Sequence, residues 1–396
     1  MEASSERDKE ESLISLCGYR LLPVAVFYGA NSSGKSNLLL AIHTMRQIVI
    51  NSVRLNNGDK LPFDPFALDT ISSGKTTFFE IQFISRDRVY RYGFEYTSTE
   101  ITSEWLYEKS SYFTDEKELF IRSADEIEVS GEYFQEGVGK EELTNSNRLF
   151  LSLVAQLKGE ISNALMEWFA TCNSLSGIDS ERYEGFTLRM FKEHLAGADE
   201  AQALFKSLQL GFSRFSVNTA SNFSKEDLDS LPDNLRESVE KDLAEGKIVE
   251  ATTSHPIYDD QGKVVAERDF LKDKMESEGT KKVIELSGPL FDTLMSGKTL
   301  IVDELDSKLH PLLTRNIVLL FMDKESNRVG AQLIFATHDT NLLDTSILRR
   351  DQIWFAEKDQ SEATDIYSLV EFQNSGDDVE KNYIRGRYGA IPFIGK

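Results

Sequence analysis

Apolar positions along the chain fall into three regimes. Leu22 to Tyr28 reads as a short apolar strand; a Gly/Ser-rich turn follows, and then a helical spacing from Asn37 to Ile50. Thr77 to Tyr96 alternates, with Phe79, Ile81 and Phe83 followed by Tyr90, Tyr92 and Phe94, which predicts a strand pair turning around Ser85-Arg86-Asp87. Short β-like runs continue from 100 to 135. From about Glu141 to about Glu245 the spacing becomes helical, as in Leu149, Leu151, Leu153 and Leu157 and again in Leu165, Trp168 and Phe169. Lys225 to Lys247 reads as an acidic, solvated helix. From about Ile248 strands and helices alternate, with strands expected at Thr299–Val302, Leu333–Ala336 and Ile353–Phe355. No heptad runs far enough for a coiled coil, and no repeat or low-complexity linker interrupts the pattern. The pattern predicts an α/β core split in sequence, with its first part over 1–135, a mostly helical insertion over 136–247 and its second part over 248–396.

The turn after the first strand carries the chemistry. Gly29-Ala30-Asn31-Ser32-Ser33-Gly34-Lys35-Ser36 fits G-x-x-x-x-G-K-[ST], placed between an apolar strand and a helix as a phosphate-binding loop requires. Such glycines let backbone N–H groups, here from Gly29, Asn31, Ser32, Ser33 and Gly34, turn inward on a phosphate. Lys35 is then expected to reach the outer oxygens and Ser36 to ligate Mg²⁺, while Asn37 lies in the first turn of a helix whose positive end faces the anion. Ser72-Ser73-Gly74-Lys75-Thr76 is superficially similar, but Asp69 stands where the first glycine is needed and a strand follows, so it is read as a loop.

A second cluster follows from this one. Thr299-Leu300-Ile301-Val302-Asp303-Glu304 is an apolar strand ending in two carboxylates; Asp303 suits the Mg²⁺ shell and Glu304 suits the base that polarises an attacking water. About 25 residues before that pair, Ser277-Glu278-Gly279 opens a helical run, and Ser277 with the Gly279 N–H could hold a phosphate bound by another subunit. The same Ser and Gly would serve equally as an ordinary helix cap. Leu305-Asp306-Ser307-Lys308-Leu309-His310-Pro311 forms a tight turn with Pro at a first helical position. His338, just past the next apolar strand, is placed to sense a terminal phosphate, whereas His43, His194 and His255 have no such context. No Q-loop glutamine is identifiable.

Composition narrows the setting. The net charge is -22, which disfavours a nucleic-acid backbone as partner without excluding a local basic groove. Cys17 and Cys172 are far apart and have no metal-like spacing, which favours a reducing compartment. The polar start and the lack of a run near 18 apolar residues predict a soluble, cytoplasmic protein with no membrane association.

With these residues in hand, the chain resembles stand-alone ABC/SMC-like ATPases of the RecF and OLD group, within the wider AAA family, and more narrowly the AbiL/RloA-type ATPases of abortive-infection operons. The resemblance is carried by Tyr28–Leu39, Arg148–Leu151, Glu276–Leu290, Leu300–Leu312, Ala331–His338 and the tail Tyr383–Phe393. Relatives of this kind have an extra strand ahead of the Glu2–Ser5 segment, at which this chain begins. The resemblance implies an ABC-type head without coiled-coil arms, hydrolysing ATP with Mg²⁺ at a head-to-tail homodimer or higher homo-oligomer. It also implies an anti-phage switch that controls a separate effector from the same operon, a Toprim-like nuclease being one candidate. A RecF- or SMC-like DNA-clamping ATPase is the alternative. Only 58 residues follow His338, too few for a Toprim domain, so no nuclease activity is expected in this chain.

Overall fold

The computed structural model describes residues 1–123, 126–179, 181–220, 248–373 and 378–392. The chain opens with a small hairpin, β1 (Ile14–Leu16) and β2 (Tyr19–Leu21). β3 (Val24–Tyr28) has all its residues buried, the signature of a strand covered on both faces. It runs through the glycine turn into α1 (Lys35–Asn51). An antiparallel sheet follows in simple meander order: β4 (Thr77–Ser85), β5 (Arg88–Tyr96), β6 (Ile101–Lys109), β7 (Lys117–Ser123) and β8 (Glu126–Val129). Arg86 and Asp87 both have positive φ, +49° and +58°, so β4 and β5 close through the two-residue turn expected from the alternation.

α2 (Phe150–Gln156) and α3 (Glu160–Thr171) cover that sheet together with α1. Met45, Ile48 and Val49 of α1 meet Phe83, Tyr92 and Phe94 of the sheet and Phe150, Leu165 and Phe169 of α2 and α3 in one core. The buried Glu104 caps the start of α2, accepting from the N–H groups of Phe150 and Leu151 at 2.7 and 3.1 Å and from the Tyr92 hydroxyl at 2.9 Å.

Next come β9 (Cys172–Ser176), α4 (Glu181–Lys192), α5 (Ala198–Ser207) and β10 (Arg214–Thr219). The helical reading of 141–245 therefore misses two strands. β9 is a short edge strand with little apolar content, and the helical spacing of α3 runs into it unmarked. β10 buries Phe215 and Val217 at period two, a signal too short to stand out. The acidic segment Lys225–Lys247 lies outside the described residues. β11 (Val249–Tyr258) and β12 (Val264–Leu271) complete a three-stranded antiparallel sheet with β10. α6 (Lys272–Met275) and α7 (Glu278–Ser296) follow, and α4 packs closely on α7 where a Cβ on Gly288 would stand 2.3 Å from Thr187 Oγ1.

The last part completes the central sheet: β13 (Thr299–Asp303), α8 (Pro311–Met322), β14 (Gln332–Ala336), β15 (Ile353–Lys358), β16 (Thr364–Ser368) and α9 (Val379–Ile384). Strand order is β16-β15-β3-β14-β13-β9, parallel except for β16. This is the expected α/β architecture, and no long paired helical arms occur among the described residues. No described helix is long and apolar enough to cross a membrane.

Candidate functional site

Parallel strands share a direction, so β3, β13, β14 and β9 deliver their following loops to one edge of the sheet, where α/β proteins place ligands. β14 lies between β3 and β13, so the turn carrying Thr337 and His338 falls between the glycine loop and the Asp303–Glu304 corner.

The glycine loop is tightly held. Gly34 has φ +101°, and a Cβ there would meet Thr364 Oγ1 at 2.0 Å; the same hydroxyl donates to Ser33 O at 3.1 Å. Ser32 also adopts positive φ, +65°. Lys35 is buried and donates to Gly29 O at 2.7 Å and Ala30 O at 3.1 Å, folding its ammonium over the loop's inner rim. Burial lowers its pKa, while the carboxylates of Asp303, Glu304 and Asp306 act in the opposite direction. Asn31, Ser32, Ser36 and Asn37 remain exposed at the loop mouth and the first turn of α1.

The acidic corner is strained. Glu304 has φ +52°, so its side chain leaves the strand direction set by Asp303. Gly177, just past β9, makes that corner possible: its N–H donates to Asp303 O at 2.6 Å, and a Cβ would fall 2.0 Å from Glu304 O. Leu305 N–H donates to Ala336 O, and His338 N–H donates to Asp306 Oδ2 at 3.3 Å, joining the corner to the His338 turn.

Four buried oxygens here have no hydrogen-bond partner among the described residues: Ser33 Oγ, Asp303 Oδ1, Asp306 Oδ1 and Asp339 Oδ2. Orphaned acceptors beside a lysine and a helix N-terminus suit a phosphate chain with a divalent cation. The residues present therefore fit ATP and Mg²⁺.

Ser277 and Gly279 are brought elsewhere on the same edge. Ser277 caps α7, accepting from Thr280 N–H at 3.2 Å, and its side chain is exposed. A Cβ on Gly279 would lie 3.0 Å from Lys308 O, and Glu278 pairs with Lys308 at 3.0 Å, so this turn sits on the 305–310 loop. His310 caps α8, its Nδ1 accepting from Leu312 N–H at 3.2 Å.

Sequence reasoning missed Gly177, Thr364 and His255. The first two act through close approach from distant strands, which no local motif announces. His255 lies 2.9 Å from Glu276, next to Ser277, a contact set by the pairing of β11 with β12. Asp69 accepts from Ile71 and Ser72, so the second Gly-Lys-Thr is an exposed capped turn, as expected.

A family model described as "AAA domain, putative AbiEii toxin, Type IV TA system" matches residues 24–344. The chain belongs to this family. The AAA domain thus spans the glycine loop, the acidic corner and the His338 turn. No curated protein matches the chain. Among solved structures, it is similar to an SMC head bound to the C-winged helix domain of ScpA, at 16% identity over 88% of this chain and 92% of that one, with TM-score 0.45. It is also similar to the SMC head domain from Thermotoga maritima, at 13% identity over 90% and 95% of the two chains, with TM-score 0.38.

Proposed function

We propose that this protein binds Mg·ATP in the 29–36 loop and hydrolyses it at the interface of a head-to-tail dimer. The observation that carries this reading is the convergence of Lys35, the orphaned Ser33 Oγ and Asp303 Oδ1, and the bent Glu304 on one sheet edge. Lys35 and backbone N–H groups of the glycine loop bind the phosphates, the Ser33 N–H being donated to Ala30 O at 3.1 Å within the loop. Ser36 and Asp303 would hold Mg²⁺, which when bound neutralises charge on the phosphate oxygens. Glu304 orients the attacking water and takes its proton, and His338 approaches the terminal phosphate from the neighbouring turn. Ser277, exposed at the start of α7, and the Gly279 N–H complete the site from a second subunit. Exposed Leu40, Met275 and Leu312 leave apolar surface at the phosphate-loop helix, before Ser277 and at the start of α8, which supports a protein contact on this edge.

In this reading the ATPase is the switch subunit of an anti-phage system, with a separate effector from the same operon. The family description and the chain's acidic surface, suited to a basic partner, support that role. Two variants test the chemistry. Lys35→Ala is expected to lose nucleotide binding, and Glu304→Gln to bind ATP normally while turnover falls at least about 100-fold. Wild-type turnover in Glu304→Gln would remove that residue as the base.

A further inference from the structure

The C-terminal residues form a folded clamp behind the glycine loop. The Tyr383 ring stacks on Phe355 at 5.5 Å and 18° and lies 5.8 Å from the Tyr28 ring. Its hydroxyl donates to Ala390 O at 3.1 Å, which folds the chain back over α9. Tyr388 stacks on Phe355 at 5.6 Å, and its carbonyl accepts from the Tyr367 hydroxyl at 2.7 Å. Gly389, at φ +69°, permits this return, since a Cβ there would stand 2.4 Å from Glu357 Oε2.

Two contacts carry the clamp to the nucleotide side. Tyr28, the residue before Gly29, donates its hydroxyl to Asp339 O at 3.0 Å. Thr340 Oγ1 donates to Glu380 Oε1 at 2.5 Å, a charge-assisted bond. The two residues after His338 are therefore held from outside their own loop, one by the buried tyrosine that Tyr383 packs against and one directly by α9. On the other side the loop is fixed by Thr337 N–H on Phe27 O and His338 N–H on Asp306 Oδ2.

We propose that residues 378–392 are a positioning element for the His338 loop, with Glu380 holding Thr340 and Tyr383 holding Tyr28. Neither side chain is itself a ligand group of the nucleotide site; both act through the loop. A segment that served packing alone would need the aromatic stack, but not a carboxylate whose described partner is one hydroxyl two residues from His338. The consequence for turnover rests on the ATPase reading, whereas the consequence for loop order does not.

Amide hydrogen exchange over 337–341, measured on the full chain without nucleotide, separates the two. Glu380→Ala and Thr340→Val should each speed exchange in that segment about tenfold, the scale of one lost charged hydrogen bond. The double variant should be no faster than either single one, because both remove the same bond. Glu380→Gln, whose amide oxygen still accepts but carries no charge, should exchange more slowly than Glu380→Ala, between it and wild type. In the same variants kcat should fall about tenfold with nucleotide affinity within about twofold. Unchanged exchange over 337–341 in both single variants overturns the proposal, as does an increase spread evenly along the chain, which would mean lost global stability. A wild-type protein that turns over no ATP would remove the proposed function and leave the exchange result to decide the clamp.

Discussion

At the residue scale, the site depends on backbone positions that ordinary residues avoid. Ser32, Glu304 and Lys308 all have positive φ, at +65°, +52° and +61°, and all lie in the loops at the candidate site. Such strain persists only where surrounding contacts over-determine it. For Glu304 that contact is Gly177, whose missing Cβ leaves room for the Glu304 carbonyl. Gly177→Ala should push the Asp303–Glu304 corner by about an ångström and lower ATP turnover about 100-fold, a loss on the scale of a misplaced catalytic group. Nucleotide binding through the 29–36 loop should survive, since that loop is held by Thr364 and Lys35. Steady-state turnover alongside equilibrium nucleotide titration checks this; turnover within about twofold of wild type would show that the corner does not depend on Gly177. The motif residues themselves were legible because their chemistry is local: glycine spacing, a lysine at a helix start, two acids ending an apolar strand. Gly177 was not, because its role exists only once β9 pairs with β13.

At the element scale, α6 and α7 each bury a lysine, with opposite outcomes. Lys272, the first residue of α6, meets Glu184, Glu285 and Asp273. Burial alone would lower its pKa, but the hydrogen bonds to Glu184 and Glu285 prevail and raise it. Lys282, one turn into α7, is equally buried, and its Nζ has no hydrogen-bond partner among the described residues. Burial pushes it down to about 8; Glu285, Asp306 and Glu304 oppose the shift and Lys308 adds to it. A lysine depressed in the fold penalises the fold when charged. That penalty is fully present below about 8 and is relieved as pH rises towards the ordinary lysine value near 10.5. Lys282→Met should therefore stabilise the protein at pH 7 by about 1–3 kcal/mol and flatten the rise in stability between those two pH values. Chemical unfolding at pH 7 and pH 9.5 measures both; destabilisation at pH 7 would mean that the ammonium has a partner worth more than its burial. Sequence periodicity predicted this helix and its cap but could not assign Lys282 to a buried face, since a lysine in a helical run normally reads as solvated. β9 and β10 were missed for the converse reason: short strands beside helices carry too few apolar positions to break a helical spacing.

At the scale of the whole molecule, the candidate residues fall into two groups. The glycine loop, the acidic corner and the His338 turn meet at the end of the central sheet, while Ser277 and Gly279 sit on the 305–310 loop at the start of α7. The order β16-β15-β3-β14-β13-β9 explains the first group, because β14 sets the His338 turn between the other two. In the proposed head-to-tail dimer the second group comes from the other copy. The sequence motifs anticipated both groups, but the clamp formed by 378–392 emerges only from contacts between chain ends, with Tyr383 against Tyr28. The most direct test of the account is the mass of Glu304→Gln by light scattering, with and without Mg·ATP. Mg·ATP should shift it from monomer to dimer, and adding Ser277→Arg should cancel the shift while nucleotide binding by each subunit persists. A mass that does not respond to Mg·ATP, or a dimer indifferent to Ser277→Arg, would contradict hydrolysis at a shared interface.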